Sequence, residues 1–132
     1  MKYFTIEELT RSTTATQRGI DNTAPEAVVS SLEHLINNLL DPIRQRYGAP
    51  ITVNSGYRSL ALNRAVGGAT TSQHTKGEAA DITVGSKGAN RELFELILNS
   101  NFEFDQLIDE QDYSWIHISL KRYGNRRQVL KL

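Results

Sequence analysis

Ser72-Gln73-His74-Thr75-Lys76-Gly77-Glu78-Ala79-Ala80-Asp81-Ile82-Thr83-Val84 is the stretch on which the reading of this 132-residue chain turns. From Asp81 onward polar and aliphatic residues alternate, the period of a half-buried strand. Asp81 and Thr83 therefore share one face, and Ile82 and Val84 the other. The aliphatic face needs a core, which leaves the aspartate facing a cleft. Gly77 allows a tight backbone reversal after His74, and Ala79 and Ala80 leave room for close packing beside the two polar residues. Imidazole nitrogen and carboxylate oxygen both suit zinc, and an open catalytic zinc site takes three protein ligands. A second alternating run, Trp115-Ile116-His117-Ile118-Ser119, supplies the third: Trp115, His117 and Ser119 share a face opposite Ile116, Ile118 and Leu120. His74, Asp81 and His117 are read as a site for one zinc ion per chain. A histidine seven residues before an aspartate is common in proteins, so the weight lies in the surrounding string rather than in that spacing.

The string Ser72-x-His74-x-x-Gly77-x-Ala79-x-Asp81, with Ser55-Gly56-Tyr57-Arg58-Ser59 before it and Trp115-Ile116-His117 after it, resembles the zinc D-alanyl-D-alanine carboxypeptidase family. Relatives of that family include D-alanyl-D-alanine dipeptidases and phage L-alanyl-D-glutamate endolysins. The resemblance runs from about Phe4 to Ser119, with three separated motifs in the family's order. It implies a hedgehog/DD-peptidase-like fold and zinc-dependent hydrolysis of an amide bond in peptidoglycan stem peptides. The matching arginine, Arg58, would face the zinc and steady a developing oxyanion or the substrate carbonyl, a task for a planar, permanently charged donor. Ser72 would hydrogen-bond substrate, and Trp115 would wall the cleft beside it. Without the resemblance, Arg58 would pass for half of a surface ion pair and Ser72 for a turn cap. The wider fold group also contains the hedgehog signalling domain, so a non-catalytic zinc-containing wall-binding domain is the competing class. A general base within reach of the metal separates the two.

For that base the chain departs from part of the family, which places a glutamate three residues before the second histidine, where this sequence has Ser114. Glu110 is the expected base and Asp112 the runner-up. With an even number of residues in the turn between the last two strands, Glu110 pairs opposite Trp115 and lies diagonal to His117, roughly 7–8 Å across the ladder. An odd turn would send Glu110 to the other face and make Asp109 or Asp112 the candidate.

Composition bounds the rest. Lys+Arg and Asp+Glu both number 15, so no net field favours nucleic acid or an anionic membrane, and any partner is recognised locally. With no cysteine, disulfides and thiolate zinc sites are excluded. The N-terminus Met1-Lys2-Tyr3-Phe4-Thr5-Ile6-Glu7-Glu8 carries acids where a signal peptide has an apolar core, and no run approaches the roughly 18 apolar residues of a membrane span. The expectation is a monomer made in the cytoplasm that acts on the cell wall. Within the resemblance this suits a phage or prophage lysin, an endopeptidase rather than a resident carboxypeptidase. A carboxypeptidase also needs a group for the substrate's terminal carboxylate, and the sequence nominates only Arg58 and Ser72.

In chain order, Thr5 caps a short helix through Glu8, and Arg11 to Asn22 reads as an ordered loop arm. From Pro25, Val28, Leu32, Leu35, Ile36, Leu39, Leu40 and Ile43 recur at helical spacing up to Gly48, with Pro42 expected to kink or restart the helix and Asp41 to cap it. A strand over 51–55, a helix over 59–66, the Asp81 strand, a helix capped by Asn90, and strands over 104–110 and 115–120 follow. The basic end, with Lys121, Arg122, Arg126, Arg127 and Lys131, reads as a solvated tail. His34 reads as an ordinary surface residue of the long helix. The whole is one α+β domain over residues 1–132, with helices packed on a small, mostly antiparallel sheet.

Overall fold

The computed structural model describes residues 1–132 and is a single α+β fold of the expected kind. Five strands form one sheet: β1 Thr52–Ser55, β2 Ala79–Thr83, β3 Gln106–Glu110, β4 Trp115–Ser119 and β5 Gln128–Lys131. Their order is β1-β2-β4-β3-β5. All pairings are antiparallel except β3 with β5, which is parallel. The two central strands, β2 and β4, carry the two alternating runs of the sequence, in the register Asp81↔His117 and Ile82↔Ile116.

One face of the sheet is aliphatic and takes the helices. Ala80, Ile82, Leu107, Ile116 and Ile118 join Leu32, Leu35, Ile36, Leu39, Leu40 and Ile43 in the core, together with Leu93 and Ile97. These helical residues come from α3 Glu26–Leu35, a π-helical turn Ile36–Leu40, α4 Asp41–Tyr47, and α6 Lys87–Leu98. The stretch from Glu26 to Tyr47 runs on without a break, so Pro42 neither ends nor restarts it. Its missing N–H is absorbed where the turn is already widened, the Asp41 N–H reaching back to the Ile36 carbonyl. Asp41 is itself helical and caps nothing. Its buried carboxylate instead accepts the backbone N–H groups of Lys2, Tyr3 and Phe4, pinning the start of the chain to the long helix.

Three further readings are corrected. The arm contains a helix, α2 Thr13–Arg18, capped by the Ser12 hydroxyl on the Ala15 N–H and closed by Gly19. Ser86, not Asn90, caps α6. Asn90 is buried inside that helix's first turns, where its amide accepts from the Val84 N–H and donates to the Tyr113 carbonyl. The basic end is no free tail, because β5 adds a strand there. The other helices, α1 Ile6–Thr10 behind its Thr5 cap and α5 Leu60–Ala65 behind Ser59, stand where expected. No helix is long and apolar enough to cross a membrane.

Candidate metal centre

The polar face of the sheet opens into a cleft of about 650 Å³. His74 reaches it from a 3-10 turn, Gln73–Lys76, whose first residue follows Ser72; the Ser72 hydroxyl accepts the His74 N–H. Gly77 then reverses the chain at φ 73°. A side chain there is opposed twice: that φ strains it, and a Cβ would lie 2.9 Å from both the Val28 carbonyl oxygen and Val28 Cγ1 on α3. The turn is therefore seated directly against the long helix, and Asp81 follows on β2.

His74 Nε2 lies 3.3 Å from Asp81 Oδ1, and His117 Nδ1 lies 3.2 Å from the same oxygen. The three donor atoms fall within 4.8 Å of one another. His74 Nδ1 is 2.7 Å from the Gly56 carbonyl, which can only accept, so Nδ1 carries the ring proton and Nε2 of the neutral ring presents a lone pair. That lone pair faces a carboxylate oxygen, an arrangement that is repulsive unless a proton or a cation lies between. The His117 ring adds a further nitrogen to the same oxygen, and its other nitrogen, Nε2, is buried without a partner. Burial alone would favour a neutral Asp81; where the His117 and His74 rings carry protons toward it, their hydrogen bonds and charges hold its carboxyl far below the ordinary range, and where His74 is neutral a cation has to take that place. Two imidazoles, one fixed by an outer carbonyl, and one ionised carboxylate make a donor set that fits a divalent cation such as zinc.

Around the three lie the other residues read from the sequence. The β3–β4 turn, Gln111 to Ser114, holds an even number of residues, and Glu110 pairs with Trp115 as the parity argument requires. Glu110 and Trp115 both line the cleft with His117. Burial, then the nearby Asp81 charge, raises the Glu110 carboxyl above its usual range. Asp112 stands in the exposed hairpin turn at φ 54°, outside the cleft lining, and Asp109 points to the opposite face, where its Oδ1 accepts the Tyr113 N–H. Arg58 lines the cleft with its backbone N–H on the His74 carbonyl and its Nη2 3.4 Å from Ser72 Oγ. Burial pulls the Arg58 guanidinium down, against the opposing charge of Asp81.

Several cleft residues escaped the sequence reading: Gln73, Lys76, Glu78, Gln106, Lys121 and Arg126. Asp105 lies behind them. Its fully buried carboxylate receives Arg126 Nη2 at 2.7 Å, Arg126 Nε at 3.0 Å, the Arg126 N–H at 3.1 Å and Gln73 Nε2 at 2.8 Å. The Arg126 hydrogen bond, working against burial, holds that carboxyl down at about 2.

A two-histidine, one-carboxylate centre in an open cleft, with a glutamate beside it, fits a metal-dependent hydrolase. A family model for peptidase M15 matches residues 2–119, and the chain belongs to that family. It is also 56% identical over 39 residues to the zinc D-Ala-D-Ala carboxypeptidase of Streptomyces albus G. That match takes in 30% of this chain and 15% of the relative, so the chain spans only a small part of that protein's length.

Proposed function

We propose that this protein is a zinc peptidase that hydrolyses an amide bond in a peptidoglycan stem peptide. The observation that carries this is the convergence of three donor atoms within 4.8 Å in a cleft that also holds an otherwise unused carboxylate, Glu110. His74 Nε2, Asp81 and His117 Nδ1 would hold one zinc. When bound, the ion supplies a Lewis acid for the scissile carbonyl and lowers the pKa of the attacking water. Glu110 accepts the proton of that water and returns it to the leaving amine, and its raised carboxyl brings it nearer the pH at which it can do both. Arg58, held against Ser72, offers N–H donors to the oxygen on which negative charge develops. Ser72 and Trp115 line the substrate path. The Gly56 carbonyl keeps His74 in the tautomer that turns Nε2 to the site.

The substrate class follows the family and the named relative. For the mode of cutting, an endopeptidase of the lysin type is the sequence expectation, acting on the wall of a bacterium. Part of its support was the lack of any group for a terminal carboxylate beyond Arg58 and Ser72, and the cations Lys76, Lys121 and Arg126 in the cleft remove that part. They favour a second reading, a carboxypeptidase like the relative. Digestion of purified peptidoglycan by the zinc-loaded protein, followed by mass spectrometry, decides between the two. Internal stem fragments are expected for the endopeptidase, and free D-alanine alone for the carboxypeptidase. No product from protein with a full complement of zinc would overturn catalysis and leave the wall-binding class.

A further inference from the structure

The family match ends at Ser119, and the residues beyond it build one end of the cleft. Along β4 the cleft face is Trp115, His117 and Ser119. The antiparallel ladder carries one bond further, from the Leu120 N–H to the Glu78 carbonyl, and the next residue on the cleft face is Lys121. Chain after Lys121 turns back through Asn125, whose side chain accepts the Lys121 N–H, and delivers Arg126 to the same wall. Lys76, on the turn that carries His74, completes the group.

Three cations meet two carboxylates at this end, Glu78 and Asp105. Asp105 is fully buried and already saturated by Arg126 and Gln73, so Lys121, 3.7 Å from its Oδ1, only shares a charge that is taken. Glu78 and Lys76 form no ion pair within 4 Å with any group, and burial pushes the Glu78 carboxyl upward, against the pull of Lys76 and Lys121. The Lys121 and Arg126 side chains are 36% and 50% exposed, so both can meet a ligand without displacing protein. Lys76, Lys121 and Arg126 against Glu78 and Asp105 leave one positive charge in excess at this end of the cleft.

We propose that this end of the cleft is an anion subsite in which Lys121, flanked by Lys76 and Arg126, recognises a free carboxylate of the substrate. The inference rests on the peptidase reading for the identity of that substrate. Lys121 lies four positions beyond His117, about 13–14 Å between Cα atoms at the rise of a strand. Shortened by the length of the lysine itself, this spacing admits two carboxylates of a stem peptide: that of the C-terminal D-alanine and the free one on the γ-linked D-glutamate.

The test is calorimetric binding to zinc-loaded Glu110→Gln protein, with and without Lys121→Gln. Three probes are used: a stem pentapeptide, the same peptide amidated at its C-terminus, and the same peptide amidated at the glutamate. One amide is expected to weaken binding roughly tenfold, as befits a lost charge-assisted contact, and Lys121→Gln is expected to erase that difference while binding the other two peptides alike. The amide that matters identifies the carboxylate. Lys76→Gln, which touches no buried carboxylate, should narrow the same difference less. Equal binding of all three peptides, or full discrimination surviving in Lys121→Gln, overturns the subsite. Discrimination without hydrolysis by the wild-type protein leaves the subsite standing and removes the peptidase reading. Hydrolysis without discrimination does the reverse.

Discussion

Asp81, on β2, and Asp105, the residue before β3, are both ionised below the ordinary carboxylate range, yet their surroundings are opposite in kind. Asp105 is completely enclosed and every donor it needs comes from the chain: two guanidinium nitrogens, a backbone N–H and an amide. Asp81 keeps 18% of its side chain exposed and faces two imidazole nitrogens, one of which is an acceptor in the neutral ring. A carboxylate whose counter-charge is built in holds the fold together. One that is left facing acceptors is half of a binding site, because the missing positive charge has to arrive from outside.

Replacing Asp81 by Asn is the harshest way to break this contrast. Stoichiometric zinc should be lost and peptide hydrolysis should fall to background, with the fold retained by circular dichroism; metal analysis showing one zinc per Asp81→Asn chain would sink the assignment. Glu110→Gln comes next. It should keep its zinc while losing roughly 10²–10⁴-fold in turnover, and a variant with full activity would remove Glu110 as the base.

At Asp105 the expected loss is of stability rather than chemistry. Asp105→Ala should cost about 2–3 kcal/mol in denaturant unfolding and still bind zinc; weakened zinc binding with undiminished stability would reverse the roles given to the two aspartates. The pH dependence sharpens the same point. The folded carboxyl titrates at about 2 against 3.8 for the free side chain, so its contribution, about 2 kcal/mol, is complete above pH 4. It disappears as the pH falls from about 4 to about 2, and Asp105→Ala should flatten stability measured across that window. Smallest of all is the exposed Arg91–Glu95 pair on α6, with side chains 66% and 53% exposed. Arg91→Ala should change stability by no more than about 0.5 kcal/mol.

The same contrast explains what could be read in advance. Asp81 and His117 were legible because alternation assigns faces, and a strand's faces decide what meets in a cleft. Glu110 was legible because the parity of a hairpin turn fixes which residues pair. Asp105 and Arg126 carry no such mark. They meet through β5, a strand of four residues pairing in parallel with β3 across more than 20 positions, and nothing local announces such a partner. Asn90 and Asp41 misled for a related reason: both are good capping residues, and tertiary contacts with Val84, Tyr113 and the first residues of the chain outbid the local role. Gln111, Asp112 and Tyr113 all take left-handed backbone in the hairpin with no glycine to signal it.

The bridge formed by Gly56, Tyr57 and Arg58 extends the reach of the metal site. Gly56 gives its carbonyl to His74, the Arg58 N–H takes the His74 carbonyl at 3.0 Å, and the Tyr57 N–H between them bonds the Leu9 carbonyl of α1 at 2.7 Å. Leu9 lies so close that a Cβ on Gly56 would sit 2.2 Å from its oxygen. The first helix and the histidine ring are thus held by one short piece of backbone, and whatever loosens one loosens the other. Amide exchange at Tyr57 and Arg58 is therefore expected to report on both: a cation that fixes His74 should slow the opening of a helix it never touches, and by the same linkage a clipped N-terminal arm should weaken the binding of the cation.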